Sequence, residues 1–444
     1  MPHHICISAR VLSTGAGAPR LTRFSGQPGQ SHAMPPVSAR PVVHTPPLWL
    51  TALVAAAQAW AFWPLFTPDM TAYLLPWLET IRAHGVLEAF ARPFSNYMPS
   101  YLYLLAAFSP LADWLDPMSV IKLLSVAGTA ALALAMHRLL AALQVSQRAH
   151  WAALVVALPS VAFNALLMGQ CDAIYVAACL VAVAMALERR HIAMFVWCGV
   201  AVAFKAQAVL VAPFFLALAI QRRVPPTQWL AAPAALLALM LPALFVGWPP
   251  ADLATVYVRQ AGTFSNDIAR NAPNIWSLAG MIAPDFAPRL FGLALAAALG
   301  AAAWFVAKMQ IVRFDAAGLV GMAALAVLLT AGLLPRMHER YFLLADMLIL
   351  AFAIARGTRQ GFALAALVQI GSFAAIIGYL GLGPPLVALG ALCMITATWI
   401  AARPLVSPNA NDNPPTGRIP RPAVLRCDTA YGIESRLKFR GSGE

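Results

Sequence analysis

Apolar residues in this chain come in blocks of about 15 to 25, the length a helix needs to cross the hydrocarbon core of a bilayer. Charged residues are confined to short clusters between those blocks. With 61% hydrophobic and 11% charged residues, against roughly 25% charged in an ordinary soluble domain, no soluble fold of this size has enough polar surface to cover the rest. In hydrocarbon every backbone N–H and C=O must find a partner within the protein, so spanning segments of this length are helical. The expected fold class is all-α, a polytopic membrane helical bundle of about 12 transmembrane helices.

Complete spans are expected near 47–64, 118–140, 150–166, 172–187, 192–204, 207–220, 227–246, 287–308, 316–334, 341–355, 360–379 and 383–402. Flanking them, residues 1–46 read as a disordered N-terminal tail and 404–444 as a disordered C-terminal tail, both rich in Pro and Arg; the membrane domain is 47–403. The net charge of +13 would suggest nucleic acid in a soluble protein. Here the basic residues lie in the tails and short loops, where retention of Lys and Arg on the cytoplasmic side accounts for them, and no nucleic-acid partner is expected. The six cysteines show no CxxC or Cys/His pair at metal spacing and read as small core residues.

The apolar segment 98–113 is too short for an ordinary span. If it is a partly inserted helix within the first outer loop, the clusters Arg138/Arg148, Arg189/Arg190, Arg222/Arg223, Lys308/Arg313 and Arg356/Arg359 all face the cytoplasm, together with both termini. The 192–220 stretch, with basic residues at both ends, reads as two short helices turning around Phe204-Lys205-Ala206-Gln207. Irregular backbone at such depth must be buried in protein or line a cavity.

With that orientation the outer loops carry the chemistry. Asp69, in Thr67-Pro68-Asp69-Met70, reads as a general base for a hydroxyl or a metal ligand, or as a helix N-cap. Asp172 starts its span and so reads equally as a helix cap or dipole partner, while Gln170 beside it suits sugar hydroxyls. A lone Lys205 in an apolar stretch must pair, snorkel to the interface or bind a buried anion. Gln207 follows it. The loop Pro335-Arg336-Met337-His338-Glu339-Arg340-Tyr341 packs three potential cations and one acid between two apolar helices, a composition suited to phosphate. Trp77, Tyr97, Tyr101, Trp114, Trp248 and Trp276 suit stacking on sugars, or an interfacial aromatic belt.

Asp69, Met168-Gly169-Gln170-Cys171-Asp172, Phe204-Lys205-Ala206-Gln207, Asn271-Ala272-Pro273-Asn274-Ile275-Trp276 and Met337-His338-Glu339-Arg340-Tyr341, in that order, resemble motifs of the bacterial relatives of GPI mannosyltransferase II, within the glycosyltransferase type C (GT-C) superfamily. The second motif departs from the family's commonest form, with Met168 where Trp precedes Gly-Gln and Cys171 where an aromatic precedes Asp. The resemblance implies an inverting transfer of a hexose, mannose by family weighting, from a polyprenyl-phosphate sugar to a lipid- or glycan-linked acceptor. It places the protein in the inner membrane with its site on the periplasmic face. Asp69 would be the general base. Lys205, Arg336, His338 and Arg340 would stabilise the departing phosphate, and Gln170, Asp172 and Asn274 would orient sugar or acceptor; Gln207, Glu339 and Tyr341 complete the expected substrate-binding set. No cofactor is required, although Asp69 with Asp172 could hold a divalent metal. The alternatives are a transporter or flippase of lipid-linked saccharides and a periplasm-facing glycan polymerase or ligase.

Overall fold

The computed structural model describes residues 45–262 and 267–406. Apart from their innermost residues, the expected tails 1–46 and 404–444 lie outside the described residues; residues 404–406 continue the last helix. The architecture is a helical bundle. Among the described residues the only extended pairing is a pair of isolated bridges from Arg270 and Asn271 to His338.

The chain runs through α1 (Leu48–Phe62), a π-helical turn at Met70–Leu74, α2 (Leu75–Phe90), α3 (Pro99–Phe108) and α4 (Pro117–Ala142). Next come α5 (Arg148–Leu154) and α6 (Pro159–Ala162), two parts of a segment bent by 54°. The bend falls where Pro159 cannot donate to the helical ladder. Then follow α7 (Asp172–Leu187), α8 (His191–Phe204), α9 (Ala212–Gln221), α10 (Pro226–Trp229), α11 (Ala231–Val246), α12 (Pro250–Gly262) and α13 (Ile275–Ile282). The bundle closes with α14 (Phe291–Ile311), α15 (Ala316–Leu333), α16 (Leu343–Arg356), α17 (Arg359–Ile377) and α18 (Pro384–Val406).

Every stretch expected to span is helical, but they differ in length. Six helices among the described residues are long and apolar enough to cross a membrane, or seven if the bent 148–167 segment counts as one. Leu48–Phe62, Asp172–Leu187, His191–Phe204 and Ala206–Gln221 are apolar but shorter. The core explains their place: α7, α15 and α16 are sheathed by other helices and bury most of their residues, whereas α11 and α14 bury only a few, as lipid-facing helices do.

Lys122, one turn into α4, donates to the carbonyls of Phe62 (2.9 Å) and Trp63 (2.7 Å) at the end of α1. The end of α1 and the start of α4 therefore lie side by side, and the whole 63–116 connection begins and ends at one end of the bundle. A single crossing by 98–113 is incompatible with that contact. α3 instead packs against α2, α4, α8 and α11.

Close helix contacts depend on small residues, as is usual where helix surfaces meet in lipid. A Cβ placed on Gly199 of α8 would lie 2.1 Å from the carbonyl oxygen of Ala232, at the start of α11, and 2.9 Å from its carbon. Neither is a side chain that can swing away. Gly199→Val should therefore separate α8 from α11 and lower stability by about 1–3 kcal/mol or more, seen as a lower melting temperature and loss of monodisperse protein in size-exclusion chromatography. A melting curve unchanged from wild type would contradict this packing.

Candidate functional site

The site begins with Asp69. Pro68 and Asp69 open the helical turn that runs on as π-helical Met70–Leu74, a local widening frequent at functional sites. Asp69 makes no side-chain capping bond, so the carboxylate is not spent on its own helix. It is partly exposed, and Oδ2 lies 3.6 Å from Nη1 of Arg340. Behind it, Met70 is fully buried against Gly169. With φ at +59°, Gly169 adopts a left-handed conformation, and a Cβ there would come within 2.9 Å of Met70 and 3.2 Å of Ile121. The Met168–Asp172 motif thus supports the backbone that carries Asp69.

Asp172 is the first residue of α7 and is wholly buried. Its oxygens accept from Nδ2 of Asn164 (2.8 Å) and Nζ of Lys205 (2.5 Å), with Nε of Arg340 at 3.6 Å. Lys205 sits at the break between α8 and the tight turn Ala206–Val211, where helical pairing stops and its extended backbone turns the side chain inward. Tyr97 covers the pair: its ring lies 5.6 Å from the Lys205 ammonium, and its hydroxyl donates to Oε1 of Gln170 at 3.3 Å.

The 335–341 turn links α15 to α16. Backbone bonds from Arg336 to Ile268 (2.7 Å) and from Arg270 to Met337 (2.8 Å) pin it to the 247–286 connection. Arg340 is the hub. Its guanidinium bonds Glu339 at 2.7 Å while also facing Asp69 and Asp172, so one cation is shared by three carboxylates. Burial raises the Glu339 carboxyl above its ordinary value, against the pull of Arg340. Arg336, also left-handed (φ 59°), stacks over Phe291 at 4.4 Å.

These groups surround a cavity of about 470 Å³, in the range of small-ligand sites. Asp69, Glu339, Arg270, Arg336 and Arg340 form its charged wall. Tyr73, Trp77, Asn96, Tyr97, Gln170 and Tyr257 face it from the 63–116 connection and its neighbours, and Phe291, Leu295 and Leu334 give it an apolar flank.

Residues 78–221 match the profile of the MptA_B family, described as alpha-(1->6)-mannopyranosyltransferase, N-terminal domain. The stretch is about a third of the chain and holds Gln170, Asp172, Lys205 and Gln207. It supports the GT-C mannosyltransferase type that the motifs resemble. The chain is a membrane glycosyltransferase of the mannosyl type. No curated protein matches it significantly.

Within this enzyme, the expected site residues fall into three groups. Asp69, Gln170, Gln207, Arg336, His338, Glu339, Arg340 and Tyr341 line the cavity. Asp172 and Lys205 stand behind its wall as a buried ion pair, so Lys205 reaches a substrate only through Asp172 and Arg340. Asn274, expected to orient sugar or acceptor, is not among the cavity-lining residues. Its Oδ1 caps α13 by accepting from Trp276 N and Ser277 N, both 3.1 Å, its Nδ2 donates to Ala331 O, and the residue is buried. Tyr257, Asn96, Arg270 and Tyr379 reach the cavity without having been singled out as site residues, and Asn164 orders Asp172. Of these only Asn164, five residues before the Gly that opens Gly-Gln-Cys-Asp, carried a local signal, an amide within an apolar run. Among the described residues no group of three His, Cys, Asp or Glu has a metal-holding arrangement.

His338, expected to stabilise the departing phosphate, lines the cavity. Burial, and then Arg340, Arg270 and Lys205, push its imidazole down from 6.5 to about 2, so it faces the cavity neutral and does not add a cation. A folded-state value below the unfolded one means stability is complete above about 6.5 and is lost as pH falls towards 2. His338→Gln should therefore flatten the decline of melting temperature between pH 6.5 and 4 while leaving the acid limb of the rate profile where it is. An acid limb displaced by the substitution would show that His338 titrates during turnover.

Proposed function

We propose that the enzyme transfers a hexose, mannose first among candidates, from a polyprenyl-phosphate sugar to a lipid- or glycan-linked acceptor, with inversion. The observation that carries this reading is the uncapped Asp69 carboxylate on the wall of a cavity whose adjoining wall is Arg340 and Arg336. Asp69 accepts the proton of an acceptor hydroxyl as that oxygen forms its bond to the sugar C1. The C1–O bond to phosphate breaks, and the electron pair leaves with the polyprenyl phosphate, an anion stable enough to need no proton. Arg340 and Arg336 stabilise that developing charge, which is usually the largest contribution to such a step. The aromatic and amide wall of Trp77, Tyr97 and Gln170 holds the sugar, and the apolar flank at Phe291, Leu295 and Leu334 receives the start of the lipid. No divalent metal is needed by this scheme.

The bundle supports a consistent orientation for it. Asp69, Gln170, the Lys205 turn and the 335–341 loop gather at one end, whereas Arg138 pairs with Glu188, and Arg356 with Asp315, at the ends of helices leading away. Read with the positive-inside rule, all twelve apolar helical segments cross the inner membrane, both termini are cytoplasmic, α3 is the partly inserted helix, and the cavity opens to the periplasm. The test uses purified enzyme in lipid nanodiscs with a panel of polyprenyl-phosphate sugars, following release of polyprenyl phosphate. Turnover with the mannosyl donor is expected. If no donor on the panel releases polyprenyl phosphate, even with acceptor glycans present, the donor assignment is wrong.

A further inference from the structure

Lys122 is a buried ionisable residue inside a membrane-length helix, and the chemistry above gives it no role. Only 1% of it is exposed. An ammonium at such a position is costly and is kept only where it is well paired. Its partners are carbonyls: Phe62 O at 2.9 Å, Trp63 O at 2.7 Å and Leu65 O. These are the terminal carbonyls of α1 and of the turn after it, groups a helix end leaves unpaired and to which a cation is attracted. Ser119, one turn earlier on α4, accepts from the Trp63 indole at 3.2 Å. Among the described residues no acid lies within salt-bridge distance of Lys122.

The position of those carbonyls gives the contact its meaning. Leu65 lies four residues before Asp69, and Pro68 stiffens the short link between them. Met70, just beyond, and Ile121, the neighbour of Lys122, both pack on Gly169 within one core cluster. The backbone on both sides of Asp69 is thus held by the outer end of α4. A neutral residue would satisfy the bilayer more cheaply, but it would release three carbonyls at the root of the catalytic loop.

We propose that Lys122 is a positioning residue for the transfer reaction: by clamping the Phe62–Leu65 carbonyls it sets the place of the Asp69 carboxylate relative to Arg340. This rests on the reading of Asp69 as the base. Lys122 touches no substrate. It therefore acts on kcat, through the alignment of the base, and leaves donor binding alone.

The experiment compares Lys122→Met, Lys122→Gln and Lys122→Arg in nanodiscs, each alone and in the Asp69→Asn background, with release of polyprenyl phosphate as the readout. Lys122→Met should lower kcat on the order of 10- to 100-fold, as misplacement by about 1 Å does, with donor KM within about twofold of wild type. Lys122→Gln should fall between, and Lys122→Arg, which keeps a cationic donor, should recover most of the rate. In the Asp69→Asn background Lys122→Met should cost little more, because two residues acting through one group are not additive. Equal losses in both backgrounds, or a loss expressed mainly in donor KM, would overturn the proposal. So would failure of both neutral variants to fold, which would make Lys122 a support of the fold alone. An inactive wild type would instead refute the donor assignment, and an Asp69→Asn enzyme as fast as wild type would refute the base.

Discussion

Lys205→Met should cost this enzyme its fold before it costs it a substrate contact. Removing the ammonium strands Asp172, whose side chain is 0% exposed and whose closest partner is Lys205 at 2.5 Å. The nearest remaining cation, Arg340, is 3.6 Å away and already engaged by Glu339. Breaking one half of a buried pair leaves an uncompensated charge and typically costs about 3–5 kcal/mol, a large fraction of the margin by which proteins are stable. Asp172→Leu alone should be comparably damaging, because it strands Lys205 against the ring of Tyr97. The double variant Lys205→Met/Asp172→Leu removes both charges together, and replacing a whole buried pair with apolar groups is often neutral. It should regain much of the lost melting temperature and monodispersity without regaining turnover. Single variants that melt with wild type would show that water reaches this pair.

Asp69→Asn should do the opposite, leaving the fold intact and removing the rate. The residue caps no helix, is partly exposed, and meets Arg340 only at 3.6 Å, so an amide of the same shape disturbs little. Loss of a general base is worth about 10²- to 10⁴-fold. The expected result is a fall of that size in kcat at an unchanged melting temperature, with donor KM little altered because Arg336 and Arg340 remain. A decrease of only a few-fold would move the base elsewhere. Glu339 would then be the next carboxylate on the cavity wall, already bound to Arg340 and raised by burial.

The two variants differ because the two acids differ in depth, and depth was not legible from the sequence. Asp69 and Asp172 each stand at the start of a helix, in short polar clusters after apolar runs. Local patterning gave both the same pair of readings, cap or function. Neither caps through its side chain: Asp69 faces a cavity, and Asp172 is sealed beneath it by Tyr97, Lys205 and Asn164. Asn274, by contrast, sits in a motif as suggestive as the others and proves to be a helix cap with both ends of its amide engaged. In that case the local rule for Asn at a helix start was the better guide. Lys122 carries no such local signal: a single Lys near a span end resembles interfacial charge, and its three carbonyl partners lie about sixty residues earlier.

What the sequence by itself determined is the class of object, an all-α membrane bundle. Apolar blocks of membrane length, in a chain that is 11% charged, require helices. The ordered motifs at alternate connections between them lead to one end of the bundle, because an apolar helix has nowhere else to put its polar turns. Tertiary structure alone decided which groups meet there: Lys205 with Asp172 across 33 residues, Arg340 with Asp69 from a far more distant part of the chain, Lys122 with the end of α1. It also decided which groups face the cavity and which stand behind it. The physical reason is that patterning is read along one helix, whereas pairing and burial depend on the rotation and crossing of several. Those are set by small contacts such as Gly199 on Ala232, which leave almost no trace in local composition.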